Sequence, residues 1–156
     1  MSMLVKVVLV AVGLGIVLFI LTRLGVFSGK RPENLGVKAG RLAACPESPN
    51  CVSTQATDAE HGIDALPLTT SADVARARMR TLIEGMPRTR IITDEGDYLY
   101  VEFRTGVMMF GDDVEFFFDE VGGVIHFRSA SRLGYSDMGL NRRRMEEIRK
   151  AFLSEE

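Results

Sequence analysis

The feature that most constrains this chain is a long apolar run near its N-terminus. From Val7 to Leu21 the sequence reads VVLVAVGLGIVLFIL, without a charged residue or a proline. If the side chains of Lys6 and Arg23 reach towards water, the run spans the roughly 20 residues that a bilayer requires. The sequence therefore predicts a transmembrane helix, with residues 4–27 in contact with the lipid bilayer.

A cleaved signal peptide is the alternative interpretation of this run. A cleavage site needs small residues in a small-x-small pattern directly after the apolar region. Arg23, Lys30 and Arg31 follow here instead. We therefore expect residues 1–27 to form an uncleaved, single-pass membrane anchor.

Two signals disagree about the side of the membrane on which the remaining chain lies. Lysine and arginine are more frequent after the span than before it, which by the positive-inside rule favours the cytoplasm. Cys45 and Cys51 enclose the short loop CPESPNC, and two cysteines this close favour a disulfide, which persists in an oxidising compartment. Reduced thiols and a pair of metal ligands are the alternatives. The cysteines receive slightly more weight, which predicts an inner-membrane protein whose domain faces the periplasm.

Composition excludes some functional classes. A chain of 156 residues has room for one modest domain beside the anchor. Its formal net charge of -2 gives no reason to expect a nucleic-acid partner. The two histidines, His61 and His126, do not stand at metal-ligand spacing from the cysteines, so we predict no metal site and no cofactor.

Residues 28–60 are predicted to form a linker followed by the Cys45–Cys51 loop. The segment Gly29–Arg41 is rich in glycine and charge and has no periodicity, which is typical of a tether or of an extended strap across the domain. Regular structure is expected over residues 61–156. The predicted elements are an edge strand at His61–Leu68, a helix capped by Ser71 and ended by Gly85, strands at Arg90–Thr93, Tyr98–Arg104, Val114–Asp119 and Val124–Ala130, and a helix at Asn141–Leu153.

These elements predict an α+β fold, in which two helices pack on one face of an antiparallel sheet. The β-α-β4-α order is that of the TATA-box-binding-protein-like arrangement. The opposite face of the sheet would be the solvated side of a two-layer domain, because half-exposed antiparallel sheets are common. Its residues would be Tyr100, Glu102, Arg104, Glu115, His126 and Arg128.

The segment Arg128–Arg144, RSASRLGYSDMGLNRRR, is the densest in polar side chains that could bind a ligand, with five arginines and three serines. Arginine forks suit carboxylates and phosphates, and the N-terminus of the last helix adds free N–H groups. One interpretation is therefore an anion pocket ahead of that helix; the other is that the segment only caps the helix. The predicted ligand-binding residues are Arg128, Ser129, Ser131, Arg132, Tyr135, Asp137, Asn141 and Arg142.

Two further motifs, a pair of carboxylates and a short apolar run, suggest specific structural or functional roles. Asp112 and Asp113 are adjacent carboxylates, and since neighbours in a strand point to opposite faces, they make a poor acid/base pair. We expect one of them to form a structural ion pair with an arginine of the Arg128–Arg144 segment. The apolar run Val107–Phe110 would either continue a strand into the core or form an exposed loop that contacts a membrane or a partner.

Four stretches of the sequence, in this order, resemble a known family: RLAACPESPNCVSTQA, YLYVEFRT, DDVEF and RSASRLGYSDMGLNRRRMEEIR. The chain resembles the domain-of-unknown-function 1499 family of bacterial envelope and plastid proteins from about Gly36 to Phe152. The resemblance implies an envelope or lumenal location, which supports the disulfide, and it implies no agreed biochemical activity. The family's characteristic positions here are Cys45, Asn50, Cys51, Asp112, Asp113, Arg128, Ser129, Ser131, Arg132, Tyr135, Asp137, Asn141 and Arg142.

The sequence leaves three functional hypotheses. The first is a non-enzymatic, membrane-anchored domain that binds a small anionic ligand through Arg128, Arg132, Tyr135 and Arg142. The second is an accessory subunit or assembly factor, whose anchor and Val107–Phe110 segment contact a larger membrane protein complex. The third is a hydrolase that uses a serine of the RSAS run, which lacks a visible nucleophile–base pair.

Overall fold

The structure is a computed structural model that describes residues 1–154. The last two residues of the predicted 61–156 domain lie outside the described residues. The helices and strands are α1 (Met3–Arg23), β1 (Cys51–Ser53), β2 (Leu66–Pro67), α2 (Ala72–Glu84), β3 (Thr89–Glu95), β4 (Tyr98–Arg104), β5 (Gly111–Asp119), β6 (Val124–Ser131) and α3 (Leu140–Ser154).

Helix α1 forms where the apolar run predicts it. Ser2 caps its first turn, and its most apolar stretch has no side chain buried against the rest of the chain. By length and composition the helix can cross a membrane. Only its last turn is covered, at Thr22, which is 5% exposed.

The sheet is antiparallel throughout, with the order β1-β6-β5-β4-β3. Strands β3 to β6 form a meander, because the turns at Glu95–Tyr98 and Asp119–Val124 join strands that are neighbours in the sheet. Both β1 and β2 pair with β6 at the other edge. The α+β prediction is confirmed.

One face of the sheet and the two helices form the hydrophobic core. The period of two along each strand places Leu99, Val101 and Phe103 of β4 on this face, as the alternating pattern predicts. Helices α2 and α3 contribute residues at helical spacing, such as Met79 and Ile148, both fully buried. The largest fully buried rings are Phe116, Phe118, Phe127 and Phe152.

The opposite face of the sheet is also buried, so the prediction of a solvated face is wrong. Residues 24–42, which we call the strap, run from the end of α1 across this face. The amide of Gly36 donates a 2.7 Å hydrogen bond to Glu115, and the carbonyl of Ser28 accepts one of 3.1 Å from Gly111. Of the six side chains expected in water, Tyr100, Glu102, Glu115 and Arg128 are at most 5% exposed. The strap and the ion pairs beneath it replace the water that would otherwise solvate these polar side chains.

Three element boundaries also differ from the predictions. Strand β1 lies in a segment that was predicted to be a loop because it contains turn-forming residues. Its three residues pair with β6 instead. Strand β2 is confined to Leu66–Pro67, since proline lacks the N–H that a longer ladder needs. Strand β5 begins at Gly111, three residues earlier than expected, which brings Asp112 and Asp113 into the sheet.

Candidate functional site

Three of the five arginines in the Arg128–Arg144 segment bind carboxylates of β4 and β5, and these ion pairs lie on both faces of the sheet: Arg128, Arg132 and Arg144. Because Asp112 and Asp113 are consecutive strand residues, they point to opposite faces. Asp112 faces the helices and Asp113 faces the strap, and both are 1% exposed. Each meets an arginine, which produces two separate ionic clusters.

The helix-side cluster joins β5, β6 and α3. Arg144 donates to Asp112 at 2.5 Å and to Oδ1 of Asn141 at 2.7 Å, and its guanidinium lies 4.7 Å from the Phe103 ring centre. Ser129 donates to the same oxygen of Asn141 at 2.5 Å. The cluster is thus a closed network that fixes the start of α3 against the sheet.

Asn141 links this network to the disulfide loop. Its amide nitrogen donates to Ser131 Oγ at 2.9 Å and to the carbonyl of Asn50 at 3.0 Å. Asn50 in turn donates to the carbonyl of Gly134 at 2.6 Å. The predicted Cys45–Cys51 disulfide is present in the structure, and it closes the loop that holds Asn50 in place.

The strap-side cluster centres on Arg132, whose side chain is 4% exposed. Its guanidinium binds Asp113 at 2.6 Å and Glu102 at 2.7 Å. Tyr100 donates to Asp113 at 2.5 Å, and Arg104 binds Glu102 at 2.9 Å. Each carboxylate therefore has at least two donors, which is the condition for burying charge without a large penalty.

A second group on the same face surrounds Glu115, which is fully buried. Tyr98 donates to Oε1 of Glu115 at 2.7 Å, and Arg128 donates to Oε2 at 3.4 Å. Gly36 of the strap completes the shell of donors. Glu115 thus ties the strap to the centre of the sheet.

The two tyrosines of this face are held protonated. Burial and the neighbouring carboxylate of Asp113 raise the pKa of Tyr100 to about 12, and burial with the charge of Glu115 raises the pKa of Tyr98 further. Both phenols act as hydrogen-bond donors at any physiological pH. Neither is a candidate for a general base near neutrality.

Glu102 makes stability depend on pH. Burial would raise the pKa of Glu102, but hydrogen bonds from Arg104 and Arg132 outweigh it and hold the pKa below the ordinary value of 4.5. The ionised form therefore adds stability that is present above pH 4.5 and is lost as the pH falls through the folded-state pKa. We expect the free energy of unfolding to fall on acidification below this value, and the slope to be shallower in Glu102→Gln. Denaturant titrations between pH 3 and pH 7 measure both; equal slopes would contradict the assignment.

The predicted ligand-binding residues are distributed over different contacts. Arg128 and Arg132 lie under the strap, whereas Ser129, Ser131 and Asn141 lie in the helix-side cluster. Asp137 caps α3 by accepting from the amide of Asn141 at 2.7 Å. Arg142 donates to the carbonyls of Gly62 and Glu60, both at 2.9 Å. Tyr135 is 76% exposed in the loop before α3. These contacts do not bring the eight residues together around one pocket.

Ser129 does not have the surroundings of a catalytic nucleophile. It is fully buried, and its hydroxyl donates to an amide oxygen, which is not a base. The nearest histidine in sequence, His126, faces the other side of β6 and contacts Thr54 at 3.1 Å. Burial lowers the pKa of His126, with Asp119 acting against the shift.

Several residues of these clusters were not predicted from the sequence. Arg144 was not among the predicted ligand-binding residues, and Glu102 was expected on a solvated face. Helical spacing could have identified Arg144, because it lies on the same side of α3 as the buried Ile148. A sequence pattern gives no comparable signal for Gly36, whose partner lies 79 positions away.

A cleft of about 760 Å³ lies between the strap and the disulfide loop. Its lining includes Arg41, Cys45 and His61. Arg41 donates to the carbonyl of Gln55 at 3.1 Å, and His61 contacts Asp58 at 2.7 Å. Within residues 1–154 there is no group of three histidine, cysteine or acidic side chains placed to hold a metal ion.

Fold and site together define a small α+β domain with an N-terminal apolar helix, a disulfide loop and a buried ionic layer beneath a strap. Residues 41–152 match the family model described as "Protein of unknown function (DUF1499)", and the chain belongs to this family. The match covers most of the chain and includes both ionic clusters. Comparison with curated proteins and with solved structures gave no match.

Proposed function

We propose that this protein is a single-pass inner-membrane protein whose domain faces the periplasm and acts by binding, in an accessory role, rather than by catalysis. The observation that carries the proposal is the continuity from α1 into the strap. The apolar helix ends at Arg23, and five residues later Ser28 is already hydrogen-bonded to the first residue of β5. A helix of this length and composition in a bilayer would hold the domain at the membrane surface.

The disulfide supports the periplasmic side. Cys45 and Cys51 close a loop that positions Asn50, and through it Asn141 at the start of α3. A structural disulfide persists where the compartment is oxidising. An accessory role is favoured over an anion pocket because a small anion would have to displace Asp113 and Glu102 from Arg132, and the two buried carboxylates would lose the guanidinium that they share.

Thiol labelling in cells of a Gram-negative host tests both the anchor and its orientation. The full-length protein should resist carbonate extraction from membranes. Cys45 and Cys51 should react with a membrane-impermeant maleimide only after reduction, in cells with a permeabilised outer membrane and an intact inner membrane. A variant with both Cys45→Ser and Cys51→Ser controls for background labelling. Thiols that are free, and accessible only after lysis, would place the domain in the cytoplasm and contradict the proposal.

A further inference from the structure

Exposed apolar side chains are concentrated at one end of the domain. Within residues 1–154, ten large apolar residues outside the N-terminal helix region are exposed, and seven of them lie in the turn after α1, the β4–β5 loop or the β6–α3 loop. Two, Leu24 and Val26, are in the turn after α1. The other five, which we call the proximal rim, are Val107, Phe110, Leu133, Tyr135 and Met138.

The path of the strap shows that the rim belongs to the end of the domain nearest to α1. Ser28 contacts Gly111 at the start of β5, and Gly36, further along the strap, contacts Glu115. The strap therefore moves along β5 away from the loop that precedes it. That loop, residues 105–110, must lie on the α1 side. Gly25, in the turn after α1, lies against the guanidinium of Arg104, which is the last residue of β4 and directly precedes this loop.

The second part of the rim lies at the same end of the sheet. Strands β5 and β6 are antiparallel, and Ser131 at the end of β6 pairs with Asp112 at the start of β5. The loop from β6 to α3, which carries Leu133, Tyr135 and Met138, therefore leaves the sheet on the α1 side. Gly29 of the strap packs against Leu133.

The loop 105–110 holds its apolar residues outward as a defined structure. Two hydrogen bonds of 3.0 Å close the loop. The amide of Thr105 donates to the carbonyl of Phe110, and the amide of Phe110 donates to the hydroxyl of Thr105. Val107 at its tip is 84% exposed, and Phe110 is 37% exposed. Of the two interpretations of this apolar run, the structure has the exposed loop. The exposed Arg88 donates to the carbonyl of Arg104 at 3.3 Å, which places positive charge beside the loop.

We infer that the proximal rim is a lipid-contacting surface, which seats the domain on the bilayer interface around the exit of α1. This inference rests on the proposed membrane anchoring. Apolar side chains at such a surface bury about 5–10 Å into the boundary between headgroups and acyl chains. Tyr135 has the amphipathic ring that is enriched at this level, and Arg23 and Arg88 suit anionic headgroups. Because α1 is proposed to cross the bilayer and ends beside this rim, the bilayer is the partner that we expect the rim to contact.

A pair of exposed valines provides a matched test. Val107 lies at the tip of the β4–β5 loop, and Val121, which is fully exposed, lies in the β5–β6 turn at the opposite end of the sheet. Val107→Cys and Val121→Cys each add one reactive thiol, because the two native cysteines are paired with each other. Neither substitution removes a buried contact. The full-length variants are labelled with bimane and reconstituted in vesicles of phosphatidylcholine and phosphatidylglycerol.

Lipid-attached nitroxides should quench the label at position 107 several-fold more than the label at position 121, and aqueous iodide should show the reverse order. Equal access of iodide to both labels in co-floating vesicles would overturn the lipid surface while leaving the anchor intact. If the label at position 107 were protected from iodide in native membranes but not in pure lipid, the rim would contact a protein partner. That result would also overturn the lipid surface. Failure of the protein to float with vesicles would overturn the anchor and the inference together.

Discussion

Replacing Arg144 by leucine is expected to lower the free energy of unfolding by about 3–5 kcal/mol. The substitution leaves the carboxylate of Asp112, which is 1% exposed, without its guanidinium partner, and it removes a donor to Asn141. An unpaired buried charge is the costly case, whereas the pair itself contributes much less. Because domains are stable by about 5–15 kcal/mol, this change removes a large part of the total.

Denaturant unfolding of the detergent-solubilised, full-length protein measures this effect. The chain contains no tryptophan, so circular dichroism is the suitable signal. Lys30→Ala is the matched control, because Lys30 also pairs with a carboxylate, Glu33, but both side chains are more than 80% exposed. The control should change stability little. A similarly small loss in Arg144→Leu would show that the helix-side cluster is not part of the scaffold.

The second large effect is expected from Arg132→Ala, again about 3–5 kcal/mol of lost stability, because two buried carboxylates lose a shared partner. Arg132 contacts Asp113 at 2.6 Å and Glu102 at 2.7 Å. Arg104 still binds Glu102, and Tyr100 still donates to Asp113, so part of the network survives. The domain should therefore remain folded at low denaturant concentration.

This substitution also separates a scaffold from an anion pocket. A scaffold arginine predicts that sulfate or phosphate stabilises the original protein and Arg132→Ala by equal amounts in thermal unfolding. A double-mutant cycle with Asp113→Asn measures the coupling directly, which should be favourable by more than 1 kcal/mol for a buried pair. If anions stabilised only the original protein, and the cycle gave no coupling, Arg132 would be a ligand-binding residue.

The sequence predicted the structure correctly where one element determines the pattern by itself. Alternation along β4 identified Leu99, Val101 and Phe103 as a core face, since successive side chains of a strand point to opposite sides. The length and composition of the apolar run likewise predicted α1. In both cases the physical rule is local.

The polar face was the main failure, because its burial depends on a segment that is distant in sequence. The strap is rich in glycine and has no apolar periodicity, so its composition is equally compatible with a tether in water. Its attachment depends on single backbone groups, such as the amide of Gly36 and the carbonyl of Ser28. Backbone groups are identical in every non-proline residue, and no side-chain pattern reports which of them will pair.

The surroundings of the candidate site were hidden from the sequence for a related reason. Arginines and serines in one segment suggest a pocket, but a sequence does not show whether carboxylates from other strands already neutralise them. The adjacent pair Asp112 and Asp113 was the useful signal, since alternation sends one carboxylate to each face. Glu102 completed the strap-side cluster from a position that looked solvent-facing.

Hydrogen exchange at the amide of Gly36 is the most direct test of the central claim, that the strap covers and ties down the charged face of the sheet. In the full-length protein this amide should exchange slowly, like the amides of β4 and β5, because it donates to the buried Glu115. The Glu115→Gln variant keeps the size of the side chain but removes its charge, and should speed the exchange. Exchange of Gly36 in the original protein at the rate of an unstructured peptide would show that residues 24–42 are a free tether, and would contradict the account.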